Sequence, residues 1–149
     1  MSDLREYISQ VKKIKQLKTI KSKVSTKYEI AGVTAKVDQS HAVLFENIKE
    51  SDFRLVSNLV GTRKRFALAV GGTESNIHQK VISAIKNAKT PKIIPTGKFM
   101  ENKSKNINSM PIVTHFEKES GPFITSSVAY AKNPETGKQN SSFHRMMPI

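Results

Sequence analysis

The sequence predicts an α+β protein: an N-terminal α/β unit over residues 1–90, followed by a strand-rich unit over residues 91–149. Three observations carry this expectation. Apolar residues recur at helical spacing at the N-terminus and again over 75–88. Compact or alternating apolar runs suited to strands lie between them, at 41–48 and 52–60. Beyond residue 90 the helical period is lost, Pro91, Pro95 and Pro111 punctuate the chain, and a turn signal separates two extended runs.

Ser2 or Asp3 can cap the first helix, and Glu6 follows Asp3 by three, as in a capping box. Leu4, Tyr7, Ile8, Val11, Ile14 and Leu17 form one apolar stripe, with Lys12, Lys13 and Lys15 mostly outside it. Such a stripe packs a helix on its own domain; a membrane-surface helix is the other reading of a basic amphipathic segment. A short helix is expected over 28–37, weakened by Gly32. Ala42, Val43, Leu44 and Phe45 make a compact run for a buried strand. Residues 52–60 alternate, with Phe53, Leu55 and Leu59 on one face of a second strand. Gly61 ends it, Thr62 can cap a helix over 63–70, and Gly71-Gly72 ends that helix. A further helix over 75–88 carries Ile77, Val81, Ala84, Ile85 and Ala88.

Residues 101–109 are rich in Asn, Lys and Ser and are expected to be mobile. Strands are expected over 112–116, 123–132 and 139–147. The turn Asn133-Pro134-Glu135-Thr136-Gly137 joins the last two. This half reads as a β-meander or part of a barrel, and no internal repeat is present.

Composition narrows the function. The net charge of +13 and pI near 10.0 fit either a polyanion partner or a lysine-rich solvated surface. Arginine stands only at 5, 54, 63, 65 and 145, and no aromatic platform is interleaved with the cations, so a nucleic-acid reader is disfavoured. The absence of cysteine excludes disulfides and thiolate metal sites. No apolar run approaches a membrane span and no secretory leader is visible, so a cytoplasmic protein is expected.

Motifs exclude several chemistries. His41, His78, His115 and His144 are isolated, without the pairing of a local zinc site. Pro95-Thr96-Gly97-Lys98 lacks the first glycine of a phosphate-binding loop, and Val70-Gly71-Gly72-Thr73 lacks a dinucleotide fingerprint. No Gly-x-Ser-x-Gly elbow occurs. One segment pair stands out: Thr125-Ser126-Ser127, and Asn140-Ser141-Ser142-Phe143-His144-Arg145 across the expected hairpin. Neutral donors and acceptors ending in a cation suit a phosphate or another anion, with an amide oxygen for a hard metal. An ordinary polar hairpin face has the same composition.

Longer stretches carry a resemblance. Leu44-Phe45-Glu46-Asn47-Ile48, Asn58-Leu59-Val60-Gly61-Thr62-Arg63-Lys64-Arg65 and Ala67-Leu68-Ala69-Val70-Gly71 form the first group. Gly121-Pro122-Phe123-Ile124-Thr125, the turn at 133–137, Asn140 and Phe143-His144-Arg145-Met146 form the second; Asp3-Leu4-Arg5-Glu6-Tyr7 opens the series. In this order and spacing, over nearly the whole chain, they resemble the UbiD family of prenylated-flavin decarboxylases. The wording Pro111-Ile112-Val113-Thr114-His115-Phe116 and Ser142 to Met147 is most similar to archaeal members, some of which act on anhydromevalonate phosphate in isoprenoid biosynthesis.

The resemblance implies a split β-barrel of the flavin-reductase type after the N-terminal domain. It implies prenylated FMN with Mn²⁺ (or Mg²⁺) and K⁺. Asn140 matches a metal ligand. Thr125, Ser142, Phe143, His144 and Arg145 match the cofactor pocket, and Arg145 matches the arginine that orients the substrate carboxylate. A regular strand would set Asn140 and Arg145 on opposite faces, so serving one cofactor requires a bend between them. Family members continue for several hundred residues, with the remaining metal ligands, the acidic residues and a dimerisation domain. The chain is therefore expected to be a component or truncated form of a nonoxidative decarboxylase of unsaturated acids. It is expected to be inactive alone, oligomeric, and partnered by a second chain. The alternatives are a noncatalytic flavin- or phosphate-binding scaffold and a basic nucleic-acid module.

Overall fold

The computed structural model describes residues 3–90, 92–97 and 100–149. Ser2, Pro91 and Lys98, named above, lie outside the described residues.

Helix α1 (Leu4–Lys13) starts at Asp3, whose carboxylate accepts the Glu6 N–H at 2.8 Å. This satisfies one of the free donors at a helix start. The apolar stripe buries Tyr7 and Val11. The helix does not run on to Leu17. Lys15 takes φ 57, and the Gln16 N–H returns to the Val11 carbonyl at 3.1 Å. That left-handed residue closes the helix and swings the chain into a strand the apolar spacing had hidden, β1 (Leu17–Ile20).

Helix α2 (Glu29–Lys36) and strand β2 (Ala42–Phe45) follow as expected. Strand β3 (Leu55–Ser57) is shorter than its alternation predicts. Phe53 lies before it and is 54% exposed, while Asn58 turns left-handed at φ 55 and ends it. The sheet order is β1-β2-β3, parallel between β1 and β2, antiparallel between β2 and β3. Strand alternation then sorts the core. Val43 and Phe45 join Val24, Ile30 and Ile48 in one cluster, while Ala42 packs with Tyr7 and Val11 in the other. The sheet is thus the middle layer between α2 and α1.

Helix α3 (Arg63–Ala69) is capped by the Thr62 hydroxyl, which accepts the Arg65 N–H at 3.3 Å. Gly71, at φ 66, follows its end in the region open to glycine. Helix α4 (Ile77–Lys86) buries only Ile77. Among the described residues no helix is long and apolar enough to cross a membrane.

The expected strand at 112–116 is reduced to isolated bridges. Thr114 exchanges backbone hydrogen bonds with Thr26 and Tyr28 at 3.1 Å, and Val113 enters the Phe45 cluster. The segment is drawn into the first unit because Val113, its one buried side chain, fits there. Strands β4 (Val128–Lys132) and β5 (Gln139–Phe143) form an antiparallel hairpin. Its turn is the predicted one: Asn133 accepts the N–H groups of Glu135 and Thr136 at 2.8 Å, and Gly137 supplies φ 68. The described residues thus hold one three-stranded and one two-stranded sheet beside the helices, an α+β arrangement.

Candidate functional site

The β4–β5 register decides which site residues share a face. Asn140 stands opposite Ala131 and Ser142 opposite Ala129, on one side of the hairpin. Phe143 stands opposite Val128 on the other side and is 87% exposed.

Pairing resumes beyond the hairpin, where Ile124 and Met146 exchange hydrogen bonds at 2.8 and 3.0 Å. Between this pair and Val128–Phe143 lie Thr125, Ser126 and Ser127 on one strand, against only His144 and Arg145 on the other. The unequal count is a β-bulge, which bends the strand and raises its twist. The Ser127 hydroxyl donates to the His144 carbonyl and closes it. The extra residue lies on the strand of Thr125 to Ser127, opposite His144 and Arg145. Sequence alone did not reveal it, because the count becomes visible only when both pairings are known.

Arg145 is held from a second direction. Its guanidinium carbon lies 4.5 Å from the Phe123 ring centroid, a cation–π contact. The Phe123 N–H donates to the Val113 carbonyl at 3.1 Å, so Arg145 is tied through Phe123 to a residue of the first core. Neither residue pairing was anticipated.

The predicted residues thus gather on one hairpin and its extension, but on an open surface. Thr125, Asn140, His144 and Arg145 are exposed, and Ser142 is half-buried. Cavities open elsewhere. One of about 300 Å³ lies past the carboxyl ends of β1 and β2, lined by Lys21, Lys23, Glu46, Asn47 and Asp52 among others. Another adjoins Thr96 and Met100. Among the described residues no three His, Asp or Glu side chains converge as metal ligands.

The segment Asn58 to Arg65, part of the family-like wording, is a latch rather than a site. Arg65 is fully buried and donates to the carbonyls of Ser40 at 2.9 Å and of Leu59 and Asn58 at 3.2 Å. Tyr7 adds a hydroxyl 2.8 Å from the Arg65 carbonyl. Asn58 donates to the carbonyls of Asp38 and His41, and a side chain at Gly61 would strike the Asn58 amide oxygen. Burial pushes the Arg65 guanidinium down from its ordinary value, against the pull of Tyr7 and Asp38. Burial likewise pushes the Tyr7 phenol up, with Arg65 opposing. Neutral carbonyls satisfy the charge where no carboxylate among the described residues comes within 4 Å, so the group organises backbone and moves no proton.

Comparisons with known proteins follow the same division of the chain. The model for the 3-octaprenyl-4-hydroxybenzoate carboxy-lyase N-terminal domain matches residues 8–85. The chain belongs to the UbiD family. The UbiD Rift-related domain matches residues 89–149. An anhydromevalonate phosphate decarboxylase of Methanothermobacter thermautotrophicus is 33% identical over 132 residues, covering 87% of this chain and 30% of the relative. That of Methanosarcina mazei is 28% identical, covering 97% of this chain and 33% of the relative. An evolved dimeric form of the UbiD-class enzyme HmfF from Pelotomaculum thermopropionicum, in complex with prFMN, superposes with a TM-score of 0.88 at 27% identity. That match covers 99% of this chain and 36% of the HmfF chain. The UbiD-family chain described here spans about a third of the length of the curated relatives it matches.

Proposed function

We propose that this chain is a component or truncated form of a UbiD-type nonoxidative decarboxylase that uses prenylated FMN on an unsaturated carboxylic acid, with anhydromevalonate phosphate as the leading substrate. The bulge of Thr125 to Ser127 against His144 and Arg145 carries the reading, because the added twist beside Arg145 would let an amide oxygen and a guanidinium serve a single ligand. In this reading residues 1–90 form the N-terminal domain and 91–149 begin a split, flavin-reductase-like barrel in a cytoplasmic enzyme. The two archaeal relatives support the substrate, and the flavin complex of HmfF supports the cofactor.

The donor set fits the flavin in kind. Ser142 and Thr125 offer hydroxyls to its polar edge, Phe143 and His144 offer flat faces to its rings, and Arg145 grips a carboxylate through two parallel N–H donors. When bound, the flavin supplies the electron sink. The metal fits only in part. Asn140 gives one hard oxygen, and Mn²⁺ or Mg²⁺ takes about six ligands. The rest of that shell, and a K⁺ site, fall to a second chain carrying the remainder of the enzyme, in a dimer or larger oligomer.

Flavin uptake tests the reading. The chain is incubated with prenylated FMN, alone and with a polypeptide equivalent to the rest of the relatives, then desalted and scanned for flavin absorbance. Retained flavin and carbon dioxide release from the pair are expected. Arg145→Ala should abolish release while keeping flavin. Deleting Ser126 equalises the two strands, removes the bulge and should abolish both. Absence of flavin from both samples rejects the reading.

A further inference from the structure

We infer that Phe123 is a positioning residue: its ring sets the direction of the Arg145 guanidinium and so fixes where a substrate carboxylate is gripped. This role rests on the decarboxylase reading for its carboxylate, whereas the contact itself stands on geometry.

Strand alternation brings the two residues together. Ile124 pairs with Met146, and Phe123 and Arg145 each precede one member of that pair. In an antiparallel pair both side chains then leave on the face away from Ile124 and Met146, as diagonal neighbours. An aromatic ring and a long side chain can span that spacing. The guanidinium carbon accordingly lies 4.5 Å from the centre of the Phe123 ring.

The ring is the fixed member of the two. The Phe123 N–H donates to the Val113 carbonyl at 3.1 Å, and Val113 is buried in the Phe45 cluster. The next residue, Ile124, exchanges backbone hydrogen bonds with Met146 at 2.8 and 3.0 Å. Phe123 is half-buried between these anchors, while Arg145 is exposed. An exposed arginine samples many rotamers, and ordering it costs entropy that a neighbouring ring helps to offset. The contact also suits the task chemically. A cation over an aromatic face uses none of its N–H groups as hydrogen-bond donors, which leaves the planar fork for the two oxygens of a carboxylate. An aliphatic side chain would fill similar space without the negative face that attracts the charge. The core of the first unit thereby sets the aim of a cation in the second, through Val113 and Phe123.

Two readouts test this role, and the first needs no activity. In proton NMR spectra of the full chain, the Arg145 Nε–H, assigned by its loss in Arg145→Lys, should lie upfield of those of the exposed Arg5 and Arg54. Phe123→Tyr should keep that shift and Phe123→Leu should abolish it, with the Val113 methyl signals in place in both as the mark of an intact core. In the flavin-loaded pair described above, Phe123→Leu should raise the KM for anhydromevalonate phosphate about fivefold with kcat within about a factor of two, and Phe123→Tyr should restore wild-type values. An Arg145 signal unmoved by Phe123→Leu overturns the inference. So does an unchanged KM in that variant, or a KM raised equally by Phe123→Tyr. Should Phe123→Leu not fold, Phe123→Met takes its place, and loss of fold in both assigns the ring to the core alone and overturns the inference too. Absence of flavin from the wild-type pair rejects the decarboxylase reading, and the carboxylate with it, while the spectra still decide the contact.

Discussion

Residues 3–77 and residues 78–149 solve the burial problem to very different degrees. Among the described residues, ten of the eleven buried apolar side chains belong to the first region, and the second contributes only Val113. Conversely, fifteen of the nineteen large apolar side chains left exposed lie in the second region. The two regions do not differ by lack of apolar residues. They differ in topology. A three-stranded sheet with a helix on each face covers both sides of its central strand, whereas a lone hairpin covers neither. Among the described residues, the first region covers its sheet with its own helices, and the second leaves its hairpin open.

This contrast can be broken or sharpened by experiment. The largest effect should come from the central strand. Phe45→Ala removes a fully buried ring and should cost about 3–5 kcal/mol in urea unfolding. A loss under about 1 kcal/mol would show that stability does not reside in that sheet. Arg65→Met should cost about 3 kcal/mol, because three carbonyls lose their donor inside the protein. A neutral result would mean water reaches them.

A smaller effect is tied to pH. Side-chain and backbone hydrogen bonds from Lys49 and Ser25 hold the Glu29 carboxyl below its ordinary value of 4.5. Burial pushes Glu50 up, but bonds from the Ser25 hydroxyl and Thr26 N–H outweigh it and leave it lowered as well. A carboxyl with a depressed folded value adds stability that is present above its unfolded value and lost as pH falls through the folded one. Acid titration of Glu50→Gln should therefore show a shallower loss of stability below pH 4.5 than wild type. Identical acid limbs would remove these bonds from the account. The smallest effect should be at the hairpin: Tyr130→Ala should change the stability of the isolated chain by no more than about 0.5 kcal/mol. A larger loss would mean that the face is covered within the chain itself.

What the sequence made legible follows the same line. Helix α1, strand β2, the Thr62 cap and the Asn133–Gly137 turn each depend on local chemistry: a stripe, a compact run, a hydroxyl, a glycine. They appear where that chemistry places them. Strand β1 was hidden because Leu17 continues the helical spacing by accident, and only the left-handed Lys15 separates the two elements. The separate role of Arg65 was equally invisible. In Arg63-Lys64-Arg65 three cations look alike, and tertiary packing alone buries the third. For the candidate site, residue types and hairpin placement were readable, while the bulge and the Phe123–Arg145 contact arise from pairings between distant residues.

The insertion of Val113 among Val24, Ile30, Val43, Phe45 and Ile48 has a consequence for biosynthesis. The innermost layer around the sheet is finished by a side chain added only after helix α4 has been translated. Closure of the first unit must wait until translation has passed Thr114, whose backbone bonds to Thr26 and Tyr28 fasten that side chain in place. The nascent chain therefore carries an unfinished interior through the synthesis of every residue between α4 and that point.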